Sequence, residues 1–272
     1  MPAQRGYIVI VVQLSDTHFG RENPVVVDAL RRCLQAQSPD LLLVSGDITQ
    51  RARGGQFRAA GNFLADLPAP RVLSIPGNHD IPLYNLVARL LWPYRGYCRV
   101  LGDELEPAYI SDTLCVICVN TVRRYRHAGG CINVAQIEQV GESLSVAPAS
   151  AIKVVVAHHP FAVMLPSDVK HRVRGATAAL RAWSRQGVDL LLGGHIHYPF
   201  MAPLREHVTG LKGDPWVVQA GTAVSRRVRS GMPNSFVRLQ LDGGRAGVCL
   251  QRWDYSRAQD AFMLAQSFTP WR

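Results

Sequence analysis

IVIVVQLSDTH, residues 8–18, sets an almost wholly apolar run directly before a polar block that begins at Asp16. The same pattern returns in LLLVSGD at 41–47, VLSIPGNHD at 72–80, IKVVVAHH at 152–159 and LLLGGHIH at 190–197. Apolar runs without strict alternation read as strands buried on both faces. Working outward, the pattern predicts strands at 7–14, 41–45 and 71–75, with a helix from Pro24 to Gln37 and another over 54–67 between them. Proline suits the first turn of the earlier helix. This is βαβαβ, and repeated crossovers favour parallel strands. Further strands are expected at 114–119, 152–157, 188–192 and 216–219, with later helices at 133–146 and 176–186. The polar blocks then fall just beyond the carboxyl ends of the strands, where open α/β sheets build their sites.

The side chains gathered in those blocks are two aspartates, one asparagine and four histidines, with no cysteine among them. Oxygen and imidazole donors mixed in this way suit manganese, iron, zinc, cobalt or nickel, whereas thiolates would point to structural zinc or iron–sulfur. Seven ligands for two ions leave positions open for water and substrate, which favours catalysis at phosphorus over a structural role. A single histidine of this kind is most often a polar loop residue. Four of them after two buried strands argue for convergence on one site.

The ordered blocks DTH, GD, GNHD, HH after a buried strand and GHIH resemble those of the calcineurin-like metallophosphoesterase superfamily, from about Gln13 to His197. The resemblance is to its bacterial class III cyclic-nucleotide phosphodiesterase branch. It implies a four-layer α/β/β/α sandwich of two mixed sheets flanked by helices, with GTAVS at 221–225 lying where such proteins carry a closing strand. It also implies that one metal takes Asp16, His18, Asp47 and His197 and the other Asp47, Asn78, His158 and His195. Asp47 would bridge the ions, as would a water or hydroxide that attacks phosphorus. His79 is the implied catalytic residue, as acid to the leaving group or as donor to a phosphoryl oxygen. Asp80 is left out of the site, an acidic residue there serving as readily as a turn or helix cap. His159, Arg51 and Arg226 are weaker candidates for substrate contact, and His127, His171 and His207 lack ligand spacing.

At 272 residues with no repeat and no linker-like stretch, the chain reads as one domain, 1–272. The run from Tyr7 to Leu14 is too short to span a bilayer and leads straight into a site block, so it reads as a strand and not a targeting segment. The six cysteines, at 33, 98, 115, 118, 131 and 249, then read as reduced, and a cytoplasmic location is expected. Cys115 and Cys118 sit in an apolar strand pattern that turns them to opposite faces, against a redox or zinc pair. Residues 83–110, rich in leucine, arginine and aromatics, read as a lid-like insertion over the site. On helical spacing Leu86, Leu90 and Leu91 are expected to pack on the core.

A net charge of +10, carried almost entirely by arginine, favours an anionic partner. Clusters fall at Arg51 and Arg53, at Arg123, Arg124 and Arg126, and at Arg226, Arg227 and Arg229; the first and third are expected near the metal face. The leading expectation is hydrolysis of a small phosphodiester, such as a cyclic nucleotide or a glycerophosphodiester. The alternative is a pyrophosphatase of the UDP-2,3-diacylglucosamine type, docking peripherally on an anionic membrane through its apolar, basic lid. Nucleic acid is disfavoured as a partner because no aromatic-interleaved basic stripe accompanies the charge. A non-catalytic protein-binding scaffold would have little reason to retain all eight site residues. Oligomeric state stays open, a homodimer included.

Overall fold

The computed structural model describes residues 8–229 and 231–272. Tyr7, where the first strand was expected to begin, lies outside them. In chain order the strands and helices are β1 (Val9–Leu14), α1 (Pro24–Gln37), β2 (Leu41–Ser45), α2 (Gly54–Ala65), β3 (Val72–Ile75), α3 (Leu86–Leu91), α4 (Arg95–Leu101), β4 (Ala108–Ile110), β5 (Leu114–Val119) and α5 (Val134–Val146). Then come β6 (Ile152–Ala157), α6 (Ala176–Arg185), β7 (Leu190–Gly193), β8 (Phe200–Pro203), β9 (Trp216–Gln219), β10 (Ser235–Leu241), β11 (Val248–Ser256) and β12 (Ala261–Phe268). One sheet runs β12-β11-β10-β1-β2-β3 and the other β4-β5-β6-β7-β9-β8.

Both sheets are mixed for the same reason. Strands joined through helices pair in parallel, as β1, β2 and β3 do in one sheet and β5, β6 and β7 in the other, where β9 also pairs parallel with β7 after the chain has passed through β8. Antiparallel pairing comes from the hairpins β10-β11, β11-β12 and β4-β5, from β8 on β9 and from β10 against the distant β1. The burial follows the side-chain alternation of each strand. In β5, Cys115, Ile117 and Val119 face α5 and α6, while Leu114, Val116 and Cys118 face the other sheet. The two cysteines therefore lie in different cores, as their strand setting predicted. A third core joins the first sheet to α1, α2 and α4 through Leu30, Phe57, Phe63 and Tyr97. Three cores between four layers give the α/β/β/α sandwich.

Two expectations change. GTAVS is a loop and not a closing strand: Thr222 Oγ1 donates to the Asp16 carbonyl at 2.6 Å and Ala223 N to that of Ser15 at 3.0 Å, so the segment props the first site loop. Leu86, Leu90 and Leu91 of α3 are 65%, 51% and 60% exposed instead of packed. The helix turns Arg89 inward instead, where its guanidinium donates to the carbonyls of Pro82, Arg124 and Arg126 at 2.7–2.8 Å. Guanidinium has five donors in a fixed fork, so one side chain pins α3 to the 123–126 loop without apolar burial. The following helix α4 behaves differently, burying Tyr97 with its hydroxyl 2.7 Å from Ser74 Oγ. Among the described residues no helix is long and apolar enough to cross a membrane.

Candidate metal centre

Five site blocks leave the carboxyl ends of β1, β2, β3, β6 and β7, and the sandwich brings the two sheets' ends to one place. Asp16 and His18 follow β1, Asp47 follows β2, Asn78 and His79 follow β3, His158 follows β6, and His195 and His197 follow β7. The turns are sharp. Asp16, His18, Asp47, His195 and His197 all adopt left-handed backbone, with φ of 53°, 46°, 49°, 74° and 52°. Such conformations are uncommon for residues with a Cβ and persist where the surroundings enforce them. Two glycines permit the close approach: a Cβ on Gly77 would stand 2.1 Å from Asp47 N, and one on Gly194 2.0 Å from Ser15 Oγ.

Hydrogen bonds between loops hold the arrangement. His18 N donates to Asp47 O at 2.9 Å, Asp16 N to Gly46 O at 3.0 Å, and His195 N to Asp16 Oδ2 at 2.9 Å. Asp80, left out of the sequence-level site, is a structural clasp. Its buried carboxylate accepts from Ile48 N, Thr49 N, Thr49 Oγ1 and Gly77 N at 2.7–3.0 Å, locking the GDIT loop to the GNHD loop. Burial, then the nearby Asp47 charge, raises its pKa to about 6.

The donor set fits metal cations by its tautomers. His158 Nδ1 lies 2.8 Å from the Ser45 carbonyl and His197 Nδ1 lies 2.6 Å from that of Arg227. A carbonyl only accepts, so each Nδ1 carries the proton and each Nε2 turns its lone pair inward. There His158 Nε2 meets Asp47 Oδ1 and Asn78 Oδ1, both at 3.3 Å, and His197 Nε2 meets Asp16 Oδ1 and His18 Nε2, both at 3.1 Å. Lone pairs face lone pairs at these distances, so a proton or a cation belongs between them. Backbone carbonyls orienting the far nitrogen are the usual support of metal-binding imidazoles. His195 Nδ1, moreover, is buried with no hydrogen-bond partner among the described residues.

Electrostatics point the same way. Burial pushes Asp16 upward, but His197 and then His158 outweigh it and hold the carboxylate well below its usual range; His158 and His79 do the same for Asp47. Burial drives His18 and His195 down to about 3, leaving neutral imidazoles with lone pairs to give. His158 moves up to about 9, burial being overcome by Asp47. Groups of three among Asp16, His18, Asp47, His79, His158, His159, His195 and His197 bring their donor atoms within 4.8 Å of one another.

The donors lie at the base of a cleft of about 590 Å³ lined by Asp47, Asn78, His79, His195, His197 and Arg227, among others. His79 Nδ1 donates to Gln50 O at 2.9 Å, which leaves Nε2 to accept from Arg227 Nη1 at 3.2 Å. Its Nε2 is 4.0 Å from Asp47 Oδ2, beside the ligands but facing the cleft. His159 is placed elsewhere: fully buried, it donates through Nε2 to Ala128 O at 3.1 Å and accepts at Nδ1 from Thr121 Oγ1 at 2.7 Å. It props the 121–130 loop and does not line the cleft. Arg51 and Arg226 line a neighbouring cleft that also reaches His79.

Several cleft residues escaped the sequence. Arg227 stood in a recognised arginine cluster, which was a usable signal. His127, also without ligand spacing, lines the cleft as well. His171 had no such signal, yet its Nδ1 lies 3.0 Å from His195 Nε2 on the cleft wall. It arrives there on a 3₁₀ segment, Pro166–His171, anchored by Asp168 to Arg229 at 2.7 Å.

A model of the calcineurin-like phosphoesterase family matches residues 10–199. A probable cyclic nucleotide phosphodiesterase of Synechococcus is 25% identical over 210 residues, covering 70% of this chain and 74% of that protein. A UDP-2,3-diacylglucosamine pyrophosphatase of Chlamydia muridarum is 34% identical over 76 residues, 27% of this chain. Among solved structures, the purple acid phosphatase PPD1 of yellow lupin superposes over 98% of this chain with a TM-score of 0.69 at 14% identity, a likeness of fold. The matches span only 23% of the Chlamydia protein and 54% of the lupin phosphatase.

Proposed function

The chain belongs to the calcineurin-like phosphoesterase family, and from that premise we propose that it is a metal-dependent phosphoric ester hydrolase acting on a small phosphodiester. The observation that carries this reading is the convergence of inward-turned imidazole lone pairs and buried carboxylates at the base of one cleft, with His79 and Arg227 on its wall. Asp16, His18, Asp47 and His197 would hold one divalent or trivalent ion, and Asp47, Asn78, His158 and His195 a second, from manganese, iron, zinc, cobalt or nickel. When bound, two such ions supply Lewis acidity at a phosphoryl oxygen and a nucleophile near neutral pH.

The chain's own groups do the rest. Arg227 donates to the phosphoryl oxygens, a task for which its planar fork is suited, and the incoming phosphate replaces its contact with His79. His79, held by the Gln50 carbonyl through Nδ1–H, then turns Nε2 toward the substrate; once Nε2 has taken up a proton from solvent, the imidazolium donates to phosphoryl oxygen or passes that proton to the leaving alkoxide. Within a single domain of 1–272, the 83–110 insertion serves as a lid whose first half, with α3, walls the groove beside the metal cleft and so forms its rim. The similarity to the Synechococcus protein supports the diester as substrate class.

A second reading has a specific observation behind it. Beside the cleft lies an apolar groove of about 310 Å³ lined by Leu83, Leu86, Arg89, Leu90, Arg124, Tyr125 and His127. His127 also lines the metal cleft, so an acyl chain in this groove would place a lipid-linked diphosphate at the ligands. The local similarity to the Chlamydia pyrophosphatase favours the same idea, with peripheral contact to a membrane.

Turnover of bis(p-nitrophenyl) phosphate, 2′,3′- and 3′,5′-cyclic AMP and UDP-2,3-diacylglucosamine by the manganese-loaded protein tests both, with Asp47→Ala as control. Diesterase activity abolished in the variant supports the first reading, and preference for the lipid supports the second. No metal-dependent turnover on any of them contradicts both and leaves the scaffold.

A further inference from the structure

A second cleft, of about 350 Å³, adjoins the metal cleft and is lined by Arg21, Gln50, Arg51, His79, Arg226 and Arg227. His79 and Arg227 line both, so the two share a wall at the imidazole. Its volume falls in the ~300–1,000 Å³ range of small-molecule sites. Four guanidiniums border it. Among the described residues none of the four forms an ion pair with a carboxylate.

Among the described residues their side-chain contacts are neutral or aromatic. Arg226 Nε donates to the Glu22 carbonyl at 3.2 Å, and Arg51 lies over the Tyr84 ring at 5.4 Å. Arg227 Nη1 reaches Gln50 Oε1 at 3.4 Å and His79 Nε2 at 3.2 Å. Elsewhere in the metal cleft the balance differs, for there Arg229 is neutralised by Asp168 at 2.7 Å. Like charges gathered without counter-charge repel one another, and an anion bound among them relieves that repulsion while satisfying several N–H donors at once.

We propose that this cleft is a second anion subsite, taking a phosphate or carboxylate group that the substrate carries beyond the phosphoester held at the metal cleft. The proposal rests on the hydrolase reading for the scissile end only. It makes the substrate doubly anionic, with its two charged groups on either side of His79.

The test is isothermal titration of the manganese-loaded protein with thymidine 3′,5′-bisphosphate against thymidine 5′-monophosphate, and with 3-phosphoglycerate against glycerol 3-phosphate. The same titrations are made on the Arg21→Ala/Arg226→Ala double variant, both positions being exposed. The expected result is a preference of about tenfold for the doubly anionic member, as one added charge-assisted hydrogen-bond cluster gives, and its loss in the double variant. The first pair reports a phosphate and the second a carboxylate. Equal affinities within both pairs, or a preference that survives the double substitution, overturns the proposal. So does a contribution of these arginines seen only with a single-stranded oligonucleotide, which would make them a nucleic-acid track. Binding is read independently of turnover, so a failed hydrolase reading shows instead as absent bis(p-nitrophenyl) phosphate hydrolysis in the same preparation.

Discussion

The floor and the rim of the cleft are built on opposite principles. On the floor, Asp16, His18 and His158 are completely buried, the first two with left-handed backbone and the third with its imidazole packed against Gly46, and every loop is tied to its neighbour by hydrogen bonds. On the rim, Tyr84, Leu86, Val87, Trp92 and Tyr125 are more than half exposed, and α3 is held by one arginine reaching three carbonyls. The floor spends conformational strain on fixing donor atoms, which the packed ends of two sheets can enforce. The rim leaves its apolar surface free. Rigid strand ends thus fix the donor atoms, whereas the border is loosely seated and its residues can change without disturbing the fold.

Substitutions can break or sharpen that contrast. The largest effect is expected for Asp47→Ala, which removes the carboxylate facing His158 and His79: diester turnover should fall by about a thousandfold or more, the loss of several kcal/mol of transition-state stabilisation. Steady-state kinetics with saturating manganese checks it. His79→Ala should lower turnover by ~10²–10⁴-fold while metal content measured by mass spectrometry stays at the wild-type level; an emptied metal site would remove His79 from its catalytic role.

Next is the clasp. Asp80→Ala strands three buried N–H groups, and at about 1–3 kcal/mol for each unsatisfied group the protein should lose on the order of 3 kcal/mol or more. Thermal unfolding reads this as a fall of Tm by roughly 6–12 °C. Smallest is the rim itself. Leu90→Ala should shift stability by no more than about 0.5 kcal/mol, whereas Leu42→Ala in the buried floor strand should cost ~2–5 kcal/mol. Equal costs in urea titrations would dissolve the distinction between floor and rim.

What could be read from the chain follows the same division. Strands buried on both faces announce themselves as unbroken apolar runs, so β1, β2, β5, β6 and β7 and the blocks behind them were visible. β10, β11 and β12 were not, because strands such as VCLQRWDYS mix polar and apolar residues, here around a register shift at Arg252/Trp253. Ligand-type residues were legible from their order. Arg89 and His171 were not, since each reaches its position through tertiary contacts between segments distant in sequence. Leu86, Leu90 and Leu91 show how periodicity misleads: the helix period was real, but the buried face belonged to an arginine. His159 failed for a related reason, because adjacency to a ligand says nothing about which side of the loop a ring occupies.

The central claim is that these seven side chains hold a pair of metal ions. Anomalous diffraction at the manganese edge, from crystals grown with that metal, tests it directly. Two peaks are predicted, on either side of the Asp47 carboxylate, one ringed by Asp16, His18 and His197 and the other by Asn78, His158 and His195. A single peak, or peaks away from Asp47, would contradict the account.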